Sequence, residues 1–309
     1  MNKSQLKGRA CSCAGLSLVL AGVVLVFFFF PKNAMAGTIL DAELRFTYED
    51  NVVGLLSDQG RGQNTAASSM PMHAAMGGPF SGTGGTGNMA TQSNKNRYTG
   101  TGGSSGDFSS TLSAEAGKYE ALGKSSEVFA KGFAEYTSYD TYTDLDATIG
   151  GVSAGINTSL TDNVSGRVAI IGKVKRFGDS QRNSGSYGGT VSVKEMILPA
   201  LCIREFGEYE KNHADNAGFS YSGTTIGAGA GYALTRNTLV TLGYSYLVQE
   251  FEEPSGAEMR TNTVSVSVEQ TLAKSWSVSG EYDLQVSDTN ATGRTTTDDI
   301  FSVALRYSY

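Results

Sequence analysis

A dominant period of two from residue 37 onward, charges set in mid-strand, and connections alternating between tight and long together predict an all-β chain. The architecture they predict is a transmembrane, antiparallel, up-and-down β-barrel of about twelve strands, with ten or fourteen as alternatives and a long first external loop. Composition agrees. Among 309 residues there are 39 Gly but only 5 Pro, 3 Cys and 1 Trp, which suits many strands without a helical layer.

The first 36 residues read as a signal peptide. Lys3, Lys7 and Arg9 form a basic start, Ala14 to Phe30 is an almost unbroken apolar run, and Ala34-Met35-Ala36 supplies the small-x-small cleavage pattern. An uncleaved anchor is the alternative, but the apolar run is at the short edge of what spans a bilayer and the Ala-x-Ala ending favours cleavage near Ala36. Cys11 and Cys13 lie before the apolar core, so there is no lipobox, and a chain starting at Gly37 keeps only Cys202 and forms no internal disulfide. The formal net charge of −6 becomes −10 once Lys3, Lys7, Arg9 and Lys32 are removed, a balance that argues against nucleic acid as a partner.

From Gly37 the barrel domain, 37–309, is expected to run through strands near 38–49, 107–118, 126–138, 147–160, 164–176, 189–198, 201–210, 222–234, 238–250, 261–272, 276–287 and 298–309. In the first, Leu40, Leu44, Phe46 and Tyr48 oppose Asp41, Glu43 and Arg45. In the fifth, Val168, Ile170 and Val174 oppose Arg167, Lys173 and Lys175; in the eleventh, Trp276, Val278, Tyr282 and Leu284 oppose Ser277, Glu281 and Asp283. The stretch 189–210 is the weakest, because Lys194 and Glu195 break the alternation and the turn at Leu198-Pro199 rests only on proline's exclusion from central strands.

A soluble sandwich alternates too. Membrane insertion is favoured by Tyr48, Tyr136, Trp276, Tyr307 and Tyr309 near strand ends, as interfacial girdles require. Tight turns at 123–125, 161–163, 235–237 and 273–275 alternate with long polar connections expected around 50–106, 177–189, 251–260 and 287–297. The span 55–106, rich in Gly, Ser and Thr, reads as a long external loop.

The end of the chain adds a resemblance. Phe301, Val303, Leu305, Tyr307 and Tyr309 fall on one strand face, and this pattern resembles the C-terminal β-signal of Gram-negative outer-membrane barrels. The run Glu43-Leu-Arg-Phe-Thr-Tyr-Glu-Asp-Asn-Val52 likewise resembles the first strand of porin-like outer-membrane β-barrel proteins. The resemblance implies an outer-membrane location, insertion by the barrel-assembly machinery, and outer-membrane lipid and lipopolysaccharide as neighbours. It implies nothing about cargo.

No reaction chemistry is legible. His73 and His213 are the only histidines, and both read as solvated loop residues, so a Ser–His dyad has no base on the wall. Asp144 with Asp146, or Asp298 with Asp299, are adjacent acids of the kind that solvate strand ends or bind bridging cations. Met70, Met72, His73 and Met76 are soft donors that suit Cu(I) in principle, but they read as incidental residues of a flexible loop. The expectation is therefore no enzyme, no cofactor and no metal.

The inward charges are the better lead: Glu43, Arg45, Glu115, Lys131, Glu135, Arg167, Lys173, Lys175, Glu269, Glu281, Asp283 and Arg306 are the expected lumen-lining residues. Opposite charges facing across a lumen would pass small polar solutes, with gating or selectivity from the first loop; the same charges paired across a narrow lumen would close it. Two functions stay open on this ground. One is a porin-like channel for small hydrophilic solutes. The other is a non-conducting structural or interaction barrel that displays a surface loop or sheathes a partner, such as a periplasmic or electron-transfer protein.

Overall fold

A computed structural model of the chain describes residues 37–50, 68–69, 88–89, 106–290 and 294–309. The leader with its cleavage site, the Met70–Met76 segment and nearly all of the 55–106 loop lie outside these residues. Twelve strands close one antiparallel barrel: β1 (Thr38–Glu49), β2 (Asp107–Ala121), β3 (Ser126–Tyr139), β4 (Ala147–Ser159), β5 (Val164–Phe177), β6 (Ser184–Leu198), β7 (Leu201–Ala214), β8 (Tyr221–Ala233), β9 (Thr238–Phe251), β10 (Glu258–Ala273), β11 (Trp276–Thr289) and β12 (Arg294–Ser308). Each strand pairs with its neighbours in sequence, and β1 pairs with β12 to close the ring. A separate two-residue ladder joins 68–69 to 88–89.

The closing seam brings like residues together. Leu44 lies opposite Leu305, Phe46 opposite Val303 and Tyr48 opposite Phe301, while Leu40 and Tyr309 exchange both backbone hydrogen bonds. On the other side of β1, Leu44 faces Leu112 and Tyr48 faces Phe108. Closure leaves no edge, which backbone in a bilayer requires.

The two faces of the wall are inverted relative to a soluble protein. Odd-numbered residues point inward on β1–β5 and β8–β11, even-numbered ones on β6, β7 and β12. The inward set is polar and enclosed: Lys131 and Glu135 are 3% exposed and Lys175 is 2% exposed. The outward set is apolar and bare, with Phe46 at 56%, Ile170 at 69% and Val303 at 56%. Water does not tolerate so large a continuous apolar surface, whereas hydrocarbon does. Aromatic pairs mark both rims, Trp276 with Tyr307 (ring centroids 5.1 Å apart) at the tight-turn end and Tyr48 with Phe108 (4.9 Å) at the long-loop end.

Three expected long connections are short. The strands continue into 177–189, 251–260 and 287–297, leaving bridging segments only at 178–183, 252–257 and 290–293. At 184–189 and 294–297 the added strand residues are mostly Ser, Gly and Thr, which give hydropathy little to alternate. The turn expected at Leu198-Pro199 is present, since Leu198 pairs with Leu201. Lys194 and Glu195 do not break β6: Lys194 occupies an inward position and Glu195 an outward one near the strand's end.

At the long-loop end the connections are stitched into a rim. Each of three loops carries a short 3-10 turn, Thr143–Leu145, Ser180–Arg182 and Ala217–Phe219, whose last residue is buried. Asp179 N–H donates to the Asp144 carbonyl (3.2 Å), Asn216 N–H to that of Gln181 (3.1 Å) and Glu252 N–H to that of Ser220 (3.0 Å). Each loop is thereby tied to the one before it.

Candidate functional site: the charged lumen wall

The period of two places all twelve expected lumen residues on the inward face of the wall. Their neighbours are set by register. Lys131 on β3 donates to Glu115 on β2 at 2.7 Å, and Arg45 on β1 bridges Glu43 on its own strand (2.9 Å) and Glu281 on β11 (3.0 Å). Arg306 lies 3.9 Å from Asp41 across the seam. Lys173 and Lys175 share one carboxylate, Glu210, at 3.1 and 2.6 Å.

Glu210 is among the inward charges missed by the sequence reading, with Glu208, Arg204 and Lys194. All four sit on β6 and β7, where weak outward hydropathy hid the alternation. The run Cys202, Arg204, Phe206, Glu208, Glu210, Asn212 was the signal that could have revealed it. Glu49 and Asp107, opposite each other at the ends of β1 and β2, also point inward. Asp107 accepts the backbone N–H groups of Phe108, Thr141 and Tyr142, so it fixes the first rim loop.

Inward aromatics thicken one side of the wall. Phe129 lies against Gly155 and Phe133 against Gly151, where a Cβ would come within 2.7 and 2.4 Å of the ring carbons. Tyr119 stacks on Phe129 at 5.6 Å, and the Arg167 guanidinium caps the Phe129 ring at 4.2 Å. Across the lumen, β8, β9 and β10 present mainly small groups at mid-height: Gly227, Gly229, Gly243, Ser265 and Ser267.

Enclosure is uneven along the axis. At the long-loop end Gln249 and Met259 are each 1% exposed, and Tyr139, Tyr142 and Leu145 form one apolar cluster while Tyr221, Phe251, Ala257 and Met259 form another. In the tight-turn half Arg167, Lys194, Arg204, Glu269 and Arg306 are only half-buried. Charge is uneven around the ring. β5, β6 and β7 carry Arg167, Lys173, Lys175, Lys194 and Arg204 against Glu208 and Glu210, whereas the opposite strands β11, β12, β1 and β2 carry mostly acids.

The other chemistries fare as follows. Asp146 Oδ1 accepts the Tyr139 backbone N–H at 2.8 Å, Asp299 accepts the Tyr282 hydroxyl, and His213 points outward with an exposed ring. Among the described residues no cluster of His, Cys, Asp and Glu is arranged to hold a metal ion.

No protein family and no curated protein sequence matches the chain. Solved structures do. The COG4313 outer membrane channel from Pseudomonas putida F1 superposes with a TM-score of 0.58 at 6% identity, over 91% of this chain and 99% of that one. The CymD monoaromatic hydrocarbon channel gives 0.44 at 10% identity over 88% of each chain, and the KdgM porin 0.38 at 12% identity over 66% of this chain and 98% of its own. At these identities the likeness is one of fold. The closed twelve-stranded barrel is the fold that this chain shares with an outer-membrane channel of known structure.

Proposed function

We propose that this barrel is an outer-membrane channel for small hydrophilic solutes. The observation that carries the reading is the direction of the lumen ion pairs. The pairs described above each stay on one side of the wall: β2 to β3, β12 to β1, β1 to β11 and β5 to β7. None of these pairs reaches the opposite wall, so they brace the wall without barring the centre. Charge of opposite sign on facing walls orders water and favours polar over apolar solutes.

A second reading has its own observation. Enclosed side chains such as Gln249, Met259 and Thr261 at the long-loop end fit a barrel closed there, acting as a structural or interaction scaffold. Liposome swelling separates the two. Vesicles carrying the refolded protein, shrunk in an impermeant osmolyte and then given a small neutral sugar, swell at a rate that falls with sugar size if the channel conducts. Swelling no faster than that of empty vesicles would favour the closed scaffold.

A further inference from the structure

We infer that the outer face of β6–β8 is an interface at which two copies of this barrel pair within the membrane, Glu205 of one copy against Glu205 of the other. Glu205 points outward on β7. Its outward neighbours along the strand are Ile203 and Gly207, and its register partners are Val193 on β6 and Ala228 on β8. Tyr232 lies in register with Leu201, four residues toward the tight turns, and Tyr209 stands four residues toward the long loops. Glu205 is thus midway between two girdle tyrosines, about 13 Å along the strand from each level at 3.3 Å per residue. A glutamate side chain does not span that distance to water.

A carboxylate held in hydrocarbon is costly, and its own chain gives Glu205 no relief. Among the described residues it makes no hydrogen bond and no ion pair. The other outward acids differ. Asp299 accepts the Tyr282 hydroxyl; Glu120, Glu250, Glu258 and Asp288 sit at a strand end or one residue from it; and Glu195 is three residues from the tight turn.

The surface around Glu205 is low. Gly207, Ala228 and Ala230 adjoin it, so a second wall approaches closely, whereas β1 and β12 present Leu44, Phe46, Phe301 and Val303 to the lipid. Depth and chemistry then name the occupant. A two-fold axis along the membrane normal preserves depth, so in a pair of copies Glu205 meets only groups at its own height. The outward cations of the described strands, Lys118, Arg176, Lys211 and Arg260, all lie within three residues of a strand end. Tyr244 and Asn262, the polar pair farther round the wall, already bond each other. The second Glu205 remains. A protonated carboxyl is donor and acceptor at once, so two of them exchange two hydrogen bonds across the axis and both leave the lipid.

Cysteine crosslinking tests the pairing. In a Cys202→Ser background, Ala228→Cys, beside Glu205, crosslinks between copies when the refolded barrel is oxidised in lipid vesicles, whereas Val303→Cys on β12 does not. Glu205→Gln keeps a donor and an acceptor and retains the crosslink. Glu205→Leu lowers its yield about tenfold, the effect of losing one intramembrane hydrogen-bonded pair. Heat-modifiable migration shows that each variant is folded. Photobleaching of single barrels labelled at the N terminus reads the same equilibrium without added cysteines: two steps for wild type, one for Glu205→Leu. Wild-type barrels that bleach in one step overturn the interface. So does a crosslink at Ala228→Cys that Glu205→Leu leaves unchanged, or one matched at Val303→Cys. Each result stands whether or not the lumen conducts.

Discussion

Replacing Glu115 by Gln should destabilise the barrel by about 3–5 kcal/mol, the usual cost of leaving one buried charge without its partner. Lys131 Nζ lies 2.7 Å from Glu115 Oε1, with the lysine side chain at 0% and the glutamate at 10% exposure, so solvent screens the pair little. At an effective dielectric of about 20 the attraction at that separation is about 6 kcal/mol, and desolvation of both groups takes back most of it. Removal of the carboxylate leaves the ammonium among Tyr119 and Phe129, whose ring centres at 5.4 and 5.7 Å offer a cation–π contact of about 1 kcal/mol. Trp276, the single tryptophan, faces outward at the tight-turn rim and reports unfolding by fluorescence. In urea, with a slope of about 2 kcal/mol per molar, the midpoint should fall by about 2 M. The double substitution Glu115→Leu with Lys131→Met should recover most of the loss, because neither charge is then stranded. A Glu115→Gln midpoint within about 0.5 M of wild type would refute the reasoning, as would a double variant no better than the single.

Four further outcomes follow from the same geometry. Val266→Arg puts a cation on the lipid face and should cost about 2–4 kcal/mol, whereas Ser267→Arg, one residue on and inward, should change conductance more than stability; equal effects in unfolding titrations would mean the register of β10 is wrong. Gly155→Ala places a methyl against the Phe129 ring and the Val168 carbonyl and should cost about 1–3 kcal/mol, read by the same titration. Arg182 is buried at the rim, with Nε and Nη2 lacking hydrogen-bond partners and burial disfavouring its charged form. Arg182→Met should therefore be neutral or stabilising by about 1–4 kcal/mol, and a clear loss of stability would show that the charge is held by something beyond Asp179. Removal of Tyr309 deletes the two seam hydrogen bonds to Leu40 and should lower the yield of heat-modifiable barrel, judged by migration of unheated against boiled samples.

Much of this architecture was legible because side-chain direction follows residue parity. Phe301, Val303, Leu305 and Tyr307 had to share a face wherever β12 lay, and the charges of β1, β5 and β11 had to take the other. What parity could not show was that some inward positions are aromatic. Phe129, Phe133 and Phe206 blur the alternation, and their places become intelligible only when register sets them against Gly155, Gly151 and Gly227. The same blurring hid Lys194 and Arg204, because β6 and β7 carry a glutamate outward, Glu195 and Glu205 respectively, where hydropathy expects an apolar residue. Strand ends were drawn short for a related reason: Ser184, Gly185 and Ser186 read as loop in isolation, and only the ladder to Lys173 and Lys175 makes them strand.

Conductance of single refolded molecules in a planar bilayer tests the central claim most directly. The account predicts discrete current steps in KCl whose size changes when the facing walls are altered by Glu281→Gln or Lys173→Gln. Folded, heat-modifiable protein that inserts into the bilayer yet gives no steps would contradict it and leave the closed scaffold as the better description of this barrel.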